Sequence, residues 1–228
     1  MCYLEDDFNL MNINNSRFSV LHINARSLKR NIDNIKLYLS MLNRLFAIVA
    51  VSETWETAFP VVSLPGSNEC KGGGVALYVR DDIQCDVRVY MVMTVLSVCL
   101  KKPTHRLVKS RPIVGCIYRP PDQDLDRFNV DFDCLLGKIT TEKAKFVLAG
   151  DYNVNLLKHD VHGETQNFVN NLYANFSMPV ICRHTRFTGK SGTLIDNIIT
   201  NDFHEDCVAG VMIADISDHL PVFNVSKK

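Results

Sequence analysis

Short apolar runs bounded by polar or turn-forming residues recur along this chain, and each predicts a buried strand. They are Phe18–Ile23 (FSVLHI), Phe46–Val51 (FAIVAV), Val75–Val79, Ile113–Tyr118 (IVGCIY) and Phe146–Ala149. Residues 85–100 predict two adjoining valine-rich strands, and Leu194–Thr200, Val208–Ile213 and Leu220–Val225 predict three more. Between these runs the period changes to that of a helix. Residues 30–45 place Ile32, Ile35, Leu39, Leu42 and Leu45 on one face. From Asp122 onward Leu125, Phe128, Phe132, Leu135, Leu136 and Ile139 do the same, and residues 164–176 repeat it with Phe168, Leu172 and Phe176. Pro121 and the aspartates after it suit a helix N-terminus, where the backbone dipole favours negative charge. Pro60, Pro65 and Gly66 mark a loop. The run Gly72-Gly73-Gly74 precedes a strand rather than a helix, and no Gly-Lys-Ser/Thr follows it, so it is not a phosphate loop of the nucleotide-binding kind. Strands and helices in this order predict one α/β domain over residues 18–228, with residues 1–17 as an N-terminal extension.

Composition narrows the class without choosing a function. Hydrophobic residues make up 46% and charged residues 22% of the 228, ordinary values for a chain that buries a substantial core. Twenty-five basic residues balance twenty-five acidic ones, so net charge points to no polyanionic partner. Locally, residues 101–111 (KKPTHRLVKSR) hold Lys101, Lys102, Arg106, Lys109 and Arg111 with no acid. That segment is either a contact to a nucleic-acid backbone or a solvated hairpin loop. None of the eight cysteines forms a Cys-x-x-Cys pair, which argues against a zinc site, and Cys99 and Cys116 sit inside apolar runs. The N-terminus lacks the layout of a secretory signal, and no apolar stretch is long enough for a membrane span. The expected setting is therefore intracellular.

The polar residues that carry chemistry sit at strand ends. Asn24 ends the first strand, Glu53 the second, Tyr118 the IVGCIY strand, and Asp151 and Asn153 follow Phe146–Ala149. Asp196 lies in the Leu194–Thr200 strand, and Ser217-Asp218-His219 leads into the last one. In FVLAGDYN, Gly150 is expected to give the chain a sharp exit. If extension persists beyond it, Asp151 and Asn153 point to the same side. The alternative is an Asx turn closing the strand. Such residues repeated at strand ends predict one polar cleft at the rim of a sheet.

Asn24-Ala25-Arg26-Ser27-Leu28, Ser52-Glu53-Thr54-Trp55, Gly73-Gly74-Val75-Ala76, Tyr118-Arg119-Pro120-Pro121, Gly150-Asp151-Tyr152-Asn153, Thr193-Leu194-Ile195-Asp196 and Ser217-Asp218-His219, in this order, resemble the exonuclease–endonuclease–phosphatase superfamily. More narrowly, NARSL, SETW, YRPP, HTRFT and SGTLIDNI resemble the endonuclease domain of non-LTR (LINE-type) retrotransposons. The resemblance implies a four-layer α/β/β/α sandwich with two packed mixed β-sheets. It implies a Mg²⁺-dependent DNA endonuclease (Mn²⁺ being the alternative ion) whose nick leaves a 3′-hydroxyl to prime reverse transcription, acting in the nucleus. A reverse transcriptase domain is then expected in a full-length element, and the chain is expected to be a fragment, a truncated copy or a domesticated domain. By the same resemblance, Glu53 would be the principal metal ligand, with Asn24 and Asp218 beside the metal. Asp151 would orient or deprotonate the attacking water, and Asn153 would hold that water or a phosphate oxygen. Tyr118 would contact the phosphate. His219 would donate to a non-bridging oxygen, with Asp196 hydrogen-bonded to it in the same cleft as Asp151.

Two segments depart from the pattern. Only Glu56–Cys70 separates the SETW strand from the glycine run, and residues 91–111 are unusual in being apolar and then basic. These lengths leave open a weakened remnant that binds nucleic acid or protein, or another phosphoesterase on the same fold.

Overall fold

The computed structural model describes residues 1–11, 18–55, 63–64, 74–89, 95–101, 112–189, 191–203 and 207–226. In chain order the strands are β1 (Cys2–Tyr3), β2 (Ser19–Asn24), β3 (Ile48–Ser52), β4 (Ser63–Leu64), β5 (Val75–Val79), β6 (Cys85–Val89), β7 (Val95–Leu100) and β8 (Ile113–Tyr118). They continue with β9 (Phe146–Asp151), β10 (Met178–Pro179), β11 (Arg186–Thr188), β12 (Ser191–Thr193), β13 (Asp196–Thr200), β14 (Cys207–Met212) and β15 (Val222–Ser226). The helices are α1 (Glu5–Leu10), α2 (Leu28–Met41), α3 (Leu125–Thr141) and α4 (Gly163–Ala174). Among the described residues, one sheet has the order β1-β14-β15-β2-β3-β5-β4 and the other β10-β13-β9-β8-β7-β6, while β11 and β12 form a separate hairpin. Both sheets are mixed. The pairs β2–β3 and β8–β9 run parallel, whereas β15–β2 and β13–β9 are antiparallel.

Strand alternation sorts the side chains of the first sheet into two layers. Val20, Ile48, Ala50 and Leu77 join the core shared with the second sheet. Their neighbours Leu21, Ile23, Val51 and Ala76 pack instead with Leu28, Ile35 and Tyr38 of α2. The central strands of the second sheet are buried on both faces, so β7, β8 and β9 read as continuous apolar runs. Beyond it Phe128 and Phe132 of α3, Phe168 of α4 and Tyr152 form an aromatic cluster with ring centroids 5.5–6.1 Å apart. The result is the expected α/β/β/α sandwich.

Several local expectations change. Leu45 is exposed because α2 stops at Met41 and Leu42 is already extended, which takes Leu45 off the helical period. Phe176 is exposed for the same reason at the end of α4, in a left-handed turn with φ 52°. The N-terminal stretch is tied to the domain over its first eleven residues: β1 pairs with β14, and Phe8 of α1 is buried against Phe46 and Phe223. Gly150 is not a turn. It pairs with Ile117 and Asn197 in the middle of the sheet, and a Cβ there would lie 2.0 Å from the carbonyl oxygen of Ile117. Glycine at this position lets two backbones approach, while the chain turns at Asn153, where φ is 48°. Of the basic segment, Lys101 pairs with Asp86 at 2.7 Å. Lys102, Arg106, Lys109 and Arg111 lie outside the described residues.

Candidate active site

Register brings the polar strand ends to one place. Asn24 lies opposite Ser52 across β2–β3, Tyr118 opposite Asp151 across β8–β9, and Asp151 opposite Asp196 across β9–β13. The two sheets therefore end side by side, with Asn24 and Glu53 from one facing Asp151, Asp196 and Tyr118 from the other. The loops are held to each other by backbone bonds. The N–H of Ala25 donates to Ser52, that of Leu28 to Thr54, and that of Thr54 to Gly74. Glu53 and Trp55 adopt left-handed φ of 52° and 56°, a conformation uncommon outside glycine that puts local strain beside the Glu53 carboxylate.

Three groups converge. Single ligand atoms of Glu53, Asp151 and His219 lie within 4.8 Å of one another. The Asn24 amide donates from Nδ2 to Glu53 Oε1 at 2.9 Å and to Asp151 Oδ2 at 2.8 Å. An electropositive N–H₂ thus bridges two carboxylates, one of them fully buried, and this is the place a hard divalent cation would take. A carboxylate pair with an amide beside it suits such an ion.

Asp151 is gripped from several sides. The Asn153 N–H donates to its Oδ1 at 2.9 Å, so the Asx turn forms, and Asn153 Nδ2 donates to its Oδ2 at 3.3 Å and to the Arg119 carbonyl at 2.8 Å. Extension ends at Asp151 and the Asx turn closes the strand, and that turn brings Asn153 Nδ2 to the Asp151 carboxylate. Burial, and then the charge of Asp196, raise the pKa of Asp151 well above the usual carboxylate range, with His219 and the Asn153 N–H opposing. His219 Nδ1 lies 2.9 and 3.2 Å from the two oxygens of Asp196 and 3.9 Å from Asp151 Oδ2. Burial alone would lower the pKa of this imidazole. Asp196, Asp151 and Asp218 outweigh that and raise it, so the charged form is favoured. Tyr118 is pushed up by burial and by the nearby carboxylates of Glu53, Asp151 and Asp122, which keeps its hydroxyl protonated.

Asp218 does not join this group. Its two oxygens accept from Nη1 of Arg26 at 2.9 Å each, and Oδ2 accepts from Nε of Arg186 at 2.8 Å. The sequence reading set Asp218 beside the metal; here two guanidinium groups take it instead. That reading also left other supports without a role. Arg119 spans the carbonyls of Tyr152, Asn153 and Gln123 and fixes the loop that carries Asn153. Thr185 Oγ1 accepts the N–H of Asp196 at 3.0 Å. His22 lies buried with Nε2 3.0 Å from Ser52 Oγ and Nδ1 3.9 Å from Asp196. Arg26, Arg119 and Thr185 all lie within the motifs NARSL, YRPP and HTRFT, but no periodicity marks them.

Residues 12–219 match the Endonuclease/Exonuclease/phosphatase family. The chain belongs to that family. Solved structures with the family fold include the endonuclease domain of TRAS1, a telomere-specific non-LTR retrotransposon (15% identity, TM-score 0.71, covering 92% of this chain and 98% of that one). An AP endonuclease from Archaeoglobus fulgidus is similar at 17% identity and TM-score 0.69, covering 92% of this chain and 100% of its own. The 3′ phosphatase NExo from Neisseria, solved as a variant bound to a product DNA hairpin, is similar at 16% identity and TM-score 0.65, covering 91% and 98%. No curated protein sequence matches the chain. No helix among the described residues is long and apolar enough to cross a membrane.

Proposed function

We propose that this member of the family is a Mg²⁺-dependent DNA endonuclease of the non-LTR retrotransposon type, nicking target DNA to leave a 3′-hydroxyl that primes reverse transcription. The observation that supports this most is the convergence of Glu53, Asp151 and His219, with Asn24 between the two carboxylates and Asp196 behind the histidine. The order and content of the NARSL, SETW, YRPP and SGTLIDNI motifs support the narrower assignment.

Glu53 and Asn24 would hold the ion, Mg²⁺ or Mn²⁺, which when bound offsets the charge that builds on the phosphate. Asp151 and Asn153 orient the attacking water, and the ionised form of Asp151 takes the water's proton. The water oxygen bonds to phosphorus as the bond to the 3′ oxygen breaks, and that oxygen leaves with the bonding pair and takes a proton from solvent to become the 3′-hydroxyl. His219, kept charged by Asp196, donates to a non-bridging oxygen, and the protonated Tyr118 hydroxyl donates to another. The test is incubation of the protein with supercoiled plasmid in Mg²⁺ or in EDTA. Relaxed circles in Mg²⁺ alone, ending in 3′-hydroxyls that a polymerase extends, are expected. Intact plasmid under both conditions would refute the reading.

A further inference from the structure

Asp218 and its two arginines make a second charged group beside the first. Arg26 follows Asn24 by two residues, in a left-handed turn with φ 48° fixed by its N–H donating to Asn24 Oδ1 at 2.9 Å. Arg186 opens the hairpin β11–β12, and its backbone forms an isolated antiparallel bridge to His219. The N–H of Phe187 donates to the Asp218 carbonyl at 3.2 Å, and Ser217 Oγ donates to the Asn24 carbonyl at 2.9 Å. The backbones of both arginines are therefore tied to residues of the catalytic group, Arg26 to Asn24 and Arg186 to His219.

The charges do not cancel. Two cations share one carboxylate, which leaves a net positive charge. Among the described residues, Nε and Nη2 of Arg26 and both Nη atoms of Arg186 bond to no protein group. The side chains are 45% and 30% exposed, and the carboxylate between them 29%. Single exposed ion pairs contribute about 0–1 kcal/mol to stability, and a second cation on one carboxylate adds charge that the pairing alone does not require. A guanidinium fork matches a phosphate diester in geometry and charge, and one already held in place loses little freedom on binding it. The catalytic group itself is rich in carboxylates, Glu53, Asp151 and Asp196, so an anionic strand needs a cationic flank to lie against.

We infer that Arg26 and Arg186, held apart by Asp218, form a phosphate-binding subsite that grips the backbone diester adjoining the scissile one on the His219 side. This rests on the DNA reading above. Asp218 then acts as a positioning residue for the two cations.

The experiment measures equilibrium binding of a fluorescein-labelled duplex of about 20 bp in EDTA, by anisotropy at several salt concentrations. It compares the wild type, Arg26→Gln, Arg186→Gln, the double variant and Asp218→Asn, and the wild type is assayed in parallel for plasmid nicking in Mg²⁺. Each single substitution is expected to weaken binding roughly five- to tenfold and to lower the salt slope by about 0.9, the double variant by about twice that. Asp218→Asn, which keeps both cations but no longer fixes them, is expected to retain the wild-type slope and to weaken binding clearly less than the double variant does. A wild type that nicks plasmid while the double variant keeps the wild-type affinity and slope would overturn the subsite and leave the DNA reading standing. Loss of binding in Asp218→Asn equal to that of the double variant would show the cluster to be only a tether for the hairpin. A wild type that neither nicks nor binds would overturn the inference together with the reading beneath it.

Discussion

Replacing Gly150 by alanine should cost stability and activity together, and the size of the effect follows from one contact. A Cβ at this position would lie 2.0 Å from the Ile117 carbonyl oxygen, 2.8 Å from its carbon and 2.9 Å from its nitrogen. All three are backbone atoms of β8, so no rotamer change relieves the overlap. Ordinary contact distance requires β8 and β9 to separate by more than about 1 Å, in a ladder whose normal spacing is about 4.8 Å. Overpacking in a core costs about 1–3 kcal/mol where side chains can adjust, so this substitution should cost about 3 kcal/mol or more. For a domain of this size that is a fall in Tm of roughly 6–12 °C. The same displacement moves Tyr118 and Asp151, the next residues along each strand, out of register with Asp196. Gly115→Ala provides the comparison in the same sheet. There the nearest atom is Leu148 Cδ2 at 2.7 Å, the far end of a side chain, and the rest are at 3.5 Å. Part of that cost is offset by the reduced freedom of the unfolded chain, leaving a loss of about 1 kcal/mol. Urea unfolding followed by far-ultraviolet circular dichroism measures both. Equal destabilisation by the two substitutions, or a loss below about 1 kcal/mol for Gly150→Ala, would refute the backbone-clash argument.

Glu53→Ala is expected to abolish Mg²⁺-dependent nicking with an unchanged melting curve, and calorimetric titration with Mn²⁺ should show affinity reduced at least tenfold; activity equal to the wild type would remove Glu53 as principal ligand. Asp196→Asn takes away the largest charge favouring protonated His219, so nicking should fall about 100-fold and its alkaline limb should move to lower pH. A pH–rate profile would show this, and an unmoved limb would count against the Asp196–His219 pair. Burial holds His22 down at a pKa of about 4, with Asp196 opposing. A histidine with a folded pKa below its unfolded value of about 6.5 stabilises the fold above pH 6.5 and loses that contribution as pH falls toward 4, here up to about 3 kcal/mol. His22→Asn should flatten that part of the stability–pH curve, measured by urea unfolding from about pH 7.5 to 4, and a curve parallel to the wild type would exclude His22 as its source.

The sandwich was legible because both of its sheets carry their signal in single strands. β7, β8 and β9 are buried on both faces and announce themselves as apolar runs, and α2 and α3 show their inward stripe. The hairpin β11–β12 gave no such signal, since its residues are largely exposed and its order comes from the backbone bridge to His219. Asn24, Glu53, Asp151, Asp196 and His219 could be singled out because each stands at or beside a strand end, and the structure brings them together. The fate of Asp218 depended on Arg26 and Arg186, which lie 192 and 32 residues from it in the chain, and no local pattern carries that. Gly150 shows the same limit: a glycine after an apolar run reads as a turn, while the demand for it comes from a neighbouring strand 33 residues earlier.

β15 lies between β14 and β2, so the last strand of this domain completes the pairing of one of its first. Until then β2 is an open edge on one side, and Asn24 lacks the Ser217 loop that bonds its carbonyl. Pairings this distant in sequence form late, because chain entropy is spent before the contact is gained. On a ribosome, Asn24, Glu53 and Asp151 would be outside the exit tunnel well before the His219 loop reaches them. A growing chain would therefore remain unable to cut until nearly all of this domain had emerged, and any hydrolytic capacity would switch on in one late step as the sheet closes.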